Sequence, residues 1–440
     1  MIGIRFTRLI ALIASMLCVA TMTAKAQTEI QFWHAMGGEL GEKLTDFANR
    51  FNASQKEYKI VPVYKGNYTE TMTAAIAAFR AKQQPHIVQV FEVGTATMMS
   101  AKGAIYPVYQ LMADQKEAFD PKAYLGAVVG YYSDSKGNIL SLPFNSSTPV
   151  VYYNKDAFRK AGLNPDQSPA TWPELEAAAK KLQAAGYPCG FTSGWPSWIQ
   201  LENFSALHDI PIATRANGFD GLDTVLQLNG ALQVRHIAKL AEWQKSKIFD
   251  YGGRRSDSGP KFYSGECAIY MNSSSAYAAV KASVKFEFGV GMLPYWPDAI
   301  QTPKNSIIGG ATLWVLNGYP KSDYKGVAKF FTYLSSPEIQ TEWHQFSGYL
   351  PITTKAYELS RQQGFYDKNP GTDVPIKQLT RGTPNANSKG LRLGNFAQIR
   401  DVIEDEIEAV LAGKKTAKAA LDDAVQRSNE LLRQFERTNK

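Results

Sequence analysis

At 440 residues the chain is too long for one hydrophobic core, which implies two lobes of ordinary domain size. Its net charge of +8 is thin for that length and comes with no dense Lys/Arg block, which argues against a nucleic-acid binder. Beyond the N-terminal segment, no stretch is apolar enough to cross a membrane.

In chain order, the first element is an export signal over residues 1–26. Arg5 and Arg8 give a positive start, and residues 9–22 form an uncharged apolar run shorter than the roughly 20 residues a bilayer requires. Ala24-Lys25-Ala26 has the small-x-small spacing of a cleavage site, so processing is expected before Gln27. A lipoprotein reading at Cys18 fails because the bulky Leu17 precedes it. Losing Arg5, Arg8 and Lys25, with no acid among residues 1–26, lowers the net charge from +8 to +5. The expected destination is the periplasm. In that oxidising compartment Cys189 and Cys267 either bridge or remain as two buried thiols, and nothing around them calls for a metal.

The mature chain alternates strands and helices. Residues 29–33 read as a strand, and Leu40, Leu44, Phe47 and Phe51 mark one face of a helix. A strand over 58–64, a helix through Met72, Ile76 and Phe79, and a strand at 87–90 follow. Pro149 to Tyr153 reads as an apolar strand. Thr171-Trp172-Pro173-Glu174 is a capping box that opens a helix carried by Leu175, Ala178, Ala179 and Leu182, with Gly186 as its stop. Residues 307–316 read as a strand interrupted by Gly309-Gly310, where backbone can come close to another group. The end of the chain is helical through Val402, Ile403, Ile407 and Val410, then Ala420, Leu421, Val425 and Leu432. Strand-helix alternation of this kind predicts α/β lobes with helices on both sheet faces.

Three segments resemble signatures of the extracellular solute-binding proteins of ABC importers: Thr171-Trp172-Pro173-Glu174-Leu175, Phe262-Tyr263-Ser264-Gly265-Glu266-Cys267-Ala268 and Gly348-Tyr349-Leu350-Pro351. Phe32-Trp33-His34, Tyr64-Lys65-Gly66-Asn67-Tyr68, residues 92–99, residues 142–148, Ile307-Ile308-Gly309-Gly310 and Arg392-Leu393-Gly394-Asn395 are similar to the glycerol-3-phosphate-binding branch of that family. The resemblance implies a type II periplasmic binding protein with two discontinuous α/β lobes, joined by a hinge, and a ligand in the cleft. It places one lobe at 27–146 plus 310–350 and the other at 147–309 plus 351–440. It further implies a non-enzymatic carrier of sn-glycerol 3-phosphate, with glycerophosphodiesters such as glycerophosphocholine as further ligands. The implied partners are the transmembrane permease subunits of an ABC importer and its cytoplasmic ATPase, with no cofactor and no metal.

The resemblance carries ligand contact to Tyr68, Glu92, Ser147, Trp195, Trp198, Ser273, Gly310, Tyr349 and Arg400. Arg400 is expected just before the C-terminal helix, as a bidentate phosphate clamp. The competing reading of Arg400 is a surface residue opposite Asp401 or Glu404. Ser147 and Ser273 offer hydroxyls, and Gly310 offers an approachable amide. Ser273 has a further reading as a helix cap, and Gly310 as a strand bulge. Glu92 and Tyr68 suit polyol hydroxyls, against ordinary solvated or rim positions. Trp195 and Trp198, in a Gly/Pro/Ser-flanked loop, suit an apolar wall for the glycerol carbons. Ser275 follows Ser274 where the family pattern has Gly, so the serine in use could shift by one. Two rivals remain at this level. One is a sugar or oligosaccharide receptor of the same fold. The other is a secreted phosphodiesterase-type hydrolase, for which no HExxH, GxSxG or supported Ser-His-Asp set is found, and His34, His86, His208, His236 and His344 are scattered as packing or surface residues.

Overall fold

The computed structural model describes residues 27–440, and the export signal assigned to residues 1–26 lies outside the described residues. Among the described residues, ten strands form two sheets. The first sheet contains β1 (Thr28–His34), β2 (Tyr58–Tyr64), β3 (Ile87–Phe91), β4 (Ile105–Tyr106), β5 (Leu142–Ser147) and β10 (Gly309–Leu316). The second contains β6 (Pro149–Asn154), β7 (Cys189–Ser193), β8 (Cys267–Ser273) and β9 (Phe288–Gly291). In the first sheet β1 runs parallel to β2 and β3, while β10 runs antiparallel to β3 on one side and to β4 and β5 on the other. The second has the order β7-β8-β6-β9, with β7 and β8 parallel.

The strands match the apolar runs, because each central strand is buried on both faces by helices. β3, β5, β6, β7 and β8 are buried at every residue. The predicted capping box is present at Thr171 and Glu174, and the helix it opens spans Trp172–Ala184. The strand anticipated from residue 307 begins instead at Gly309. Ile307 and Ile308 belong to the preceding connection, where the Ile307 amide donates to Asn203 Oδ1 at 2.9 Å.

Three connections bring the two sheets together. Thr148 alone separates β5 from β6, and its hydroxyl donates to Ser306 Oγ at 2.5 Å on the second connection. The third passes residues 348–352, where the Leu350 amide donates to Ser146 O at 2.8 Å. Among the described residues, no helix is long and apolar enough to cross a membrane.

Candidate functional site

Where the connections meet, the strand ends converge. Glu92 follows β3, Ser147 ends β5, Ser273 ends β8, and Gly310 is the second residue of β10. Gly310 has φ +101, and a Cβ there would lie 1.9 Å from Asn145 O, so only glycine fits. Tyr68 opens the helix Tyr68–Arg80 behind a complete capping box of Asn67 and Glu70, which fixes its entry. Its ring stacks on Phe91 at 5.3 Å, and its hydroxyl accepts from Asn145 Nδ2 at 3.0 Å. Tyr349 follows the helix Pro337–Ser347 through a left-handed Gly348, whose absent Cβ leaves room for Ser274 O. Its hydroxyl lies 3.5 Å from that of Tyr68.

All nine residues expected at the ligand line one cavity of about 230 Å³. Leu40, Phe91, Ser256, Tyr263, Ser275 and Gly309 also line it. Ser273 and Ser275 hydroxyls are 2.9 Å apart, whereas Ser274 is buried away from the cavity, with its hydroxyl unpartnered among the described residues. The serine substituted for the family glycine therefore adds a hydroxyl to the wall. The Trp195–Trp198 segment differs from the expected loop. Trp198 opens a π-helical turn, Trp198–Asn203, and Trp195 precedes it at φ +45. The Trp195 indole donates to Ser256 Oγ at 3.3 Å, while the backbone of Gly309 lies against the Trp198 ring. Trp198 Nε1 is buried with no partner among the described residues.

Arg400 departs from expectation in three respects. It lies inside the helix Phe396–Leu411, one turn beyond Phe396, whose ring sits under its guanidinium at 5.0 Å. It is buried, and it pairs with neither Asp401 nor Glu404. Its fork is already engaged: Nε and Nη2 donate to the two carboxylate oxygens of Glu202, both at 2.7 Å, and Nη1 meets Glu92 Oε1 at 2.8 Å. The anticipated bidentate phosphate clamp is thus a bidentate carboxylate pair. Burial opposes the charged guanidinium, but Glu202 and Glu92 outweigh it and its pKa is raised. Burial also raises the pKa of Glu92, with Arg400 opposing and Glu202 reinforcing the shift. Glu202 escaped the sequence analysis because an acid in an apolar stretch carries no signature of its own. Its one signal is that it shares a turn with Trp198.

A second cavity of about 500 Å³ adjoins the first and shares Tyr68, Phe91, Trp195 and Arg400 with it. Its further lining is charged, with Arg254, Arg255, Asp257, Asp401, Glu404 and Glu408. Neither cavity is built like a metal site. Among the described residues, the one grouping of His, Cys, Asp and Glu close enough for a metal is Cys189, Asp250 and Cys267. The two cysteines form a disulfide, and Asp250 holds Lys247 and Lys261 at 2.7 and 2.6 Å, so no ligand set remains. Of the two states left open for the cysteines, the structure has the bridged one. All five histidines are buried packing residues.

The model of the bacterial extracellular solute-binding protein family matches residues 46–372. A Yersinia pseudotuberculosis protein named sn-glycerol-3-phosphate-binding periplasmic protein UgpB is 57% identical over 430 residues, spanning 96% of this chain and 98% of that one. The Salmonella typhimurium protein of the same name is 53% identical across 100% of both chains. Among solved structures, UgpB from Mycobacterium tuberculosis in complex with glycerophosphocholine aligns with a TM-score of 0.76 at 20% identity, covering 93% of this chain and 99% of that one. At that identity the likeness is one of fold.

Proposed function

Because this chain belongs to the bacterial extracellular solute-binding protein family, we propose that it captures sn-glycerol 3-phosphate in the periplasm. It hands the ligand, chemically unchanged, to the permease of an ABC importer. The observation that carries the reading is the convergence of nine separately placed residues on one small cavity. At about 230 Å³ that cavity is of a size to hold a three-carbon ligand.

The chemistry divides along the cavity. Since Arg400 is held by two carboxylates, the phosphate goes to the neutral donors: the hydroxyls of Ser147, Ser273, Ser275 and Tyr349 and the backbone at Gly309–Gly310. Glu92 and Arg400 take the polyol hydroxyls, with Tyr68 beside them. The indoles of Trp195 and Trp198 cover the carbons. In this reading the lobes are 27–146 plus 310–350 and 147–309 plus 351–440, and the ligand enters and leaves as they hinge apart. A glycerophosphodiester is a second ligand, supported by the adjoining cavity, into which the additional alcohol would extend.

Calorimetry on the mature protein tests the proposal. The expected result is a dissociation constant well below millimolar for glycerol 3-phosphate, no heat with maltose, and full recovery of unaltered ligand with or without chelator. Binding of maltose alone, or turnover of a glycerophosphodiester, would overturn it.

A further inference from the structure

Glu202 is out of place on bland grounds. Its side chain is 3% exposed, it lies outside the cavity lining, and Arg400 already has a carboxylate partner in Glu92. One buried cation needs one buried anion, and a second carboxylate brings a further desolvation penalty. The local structure nevertheless holds it in place. Glu202 sits on the π-helical turn Trp198–Asn203, whose next residue, Asn203, donates to Trp198 O at 3.1 Å and accepts the Ile307 amide at 2.9 Å. Such turns are frequent at functional sites. The nearest further charges do not restore the balance. Glu404 is held by Ser197 at 3.0 Å with Arg254 at 3.8 Å, and that arginine also holds Asp405 and Glu408.

We propose that Glu202 is the positioning residue that sets ligand specificity at the polyol end of the cavity. By taking the fork of Arg400 it removes the bidentate anion site the arginine would otherwise offer, and it leaves two carboxylates against one guanidinium. That end therefore accepts neutral hydroxyls and repels a negative group. The phosphate is directed to the serines, and three-carbon phosphates with a carboxylate in place of the terminal hydroxymethyl are excluded. The inference rests on the glycerol 3-phosphate reading above.

The test compares two ligands by calorimetry: glycerol 3-phosphate, and glycerate 3-phosphate of matching C2 configuration. Wild type should prefer the former. Glu202→Gln keeps shape and one acceptor for Arg400 but removes the charge, and it should reduce the preference about tenfold or more, chiefly through tighter glycerate 3-phosphate binding. Glu202→Asp keeps the charge and should retain the preference even where both affinities fall. Parallel weakening of both ligands in Glu202→Gln, with the ratio unchanged, would overturn the inference while leaving the glycerol 3-phosphate reading intact. Loss of the ratio in Glu202→Asp would do the same. Wild type that binds no glycerol 3-phosphate would sink both.

Discussion

Arg400 sits between Glu92 and Glu202 with almost no access to water, so its removal would leave two carboxylates facing each other in a low-dielectric site. Breaking a buried pair from one side typically costs about 3–5 kcal/mol, and Arg400→Ala is expected to lose that much unfolding free energy in urea titrations. Replacing all three residues with neutral ones, Arg400→Met with Glu92→Gln and Glu202→Gln, should recover most of the stability and none of the binding. An Arg400→Ala protein as stable as wild type would show that the pairing is not structural. At this scale the nine cavity residues were legible because the motifs around them are characteristic. Glu202 was not, because 198 positions separate it from Arg400 and only the packing of two helical segments makes them partners. The partners of Arg400 are hidden in the sequence for the same reason: a cation near an expected phosphate reads as its clamp until Glu202 and Glu92 are known to hold it.

Among the elements, the parallel pair β7–β8 has Cys189 and Cys267 directly opposite in register, 78 residues apart, joined by a disulfide. A cross-link closing a loop of that length restricts the unfolded chain strongly. Native disulfides of this kind typically contribute about 2–4 kcal/mol. The Cys189→Ala, Cys267→Ala double variant should lower the denaturation midpoint by the equivalent of that range, and denatured, unreduced protein should take up no alkylating agent. Two labelled thiols would remove the bridge. The strands themselves were readable from their apolar runs, and the helix Trp172–Ala184 from its capping box. The pairing of β7 with β8 was not, since strand order within a sheet is decided by packing between segments far apart in sequence. The π-helical turn at Trp198 was also hidden, because Gly194, Pro196 and Ser197 signal a loop while the turn depends on Asn203 bonding back to Trp198 O.

Across the whole molecule four of the five buried histidines share one arrangement that makes the fold sensitive to acid, while the fifth, His344, donates from Nδ1 to Tyr349 O at 2.5 Å. Ring nitrogens of His34, His86 and His208 accept backbone N–H groups, from Met36, Gln31 and Trp296, at 3.3, 3.1 and 2.9 Å, and His236 accepts the Trp296 indole N–H at 3.4 Å. Protonation would set two donors against each other at each site. Burial, as the leading cause, lowers the pKa of His34, His208 and His344 to about 4, and those of His86 and His236 as well. Their unfolded value is near 6.5, so between roughly pH 6.5 and 4 the unfolded chain binds more protons than the folded one, and stability must rise with pH across that window. Each such histidine would contribute up to about 1 kcal/mol per pH unit near pH 5.5. Glu92, Glu404 and Asp401, whose pKa values burial raises, work in the opposite direction over the lower part of the window. They are fewer, and Arg400 or Arg254 opposes each shift. Urea titrations at pH 7, 6 and 5 should therefore show unfolding free energy already falling from 7 to 6, where the unfolded imidazoles pass through half protonation, and falling more steeply below. From 6 to 5 it should fall by at least about 1 kcal/mol, with net proton uptake on unfolding. A free energy that is flat or rises from pH 6 to pH 5 would mean that the histidines titrate in the folded protein much as they do in water.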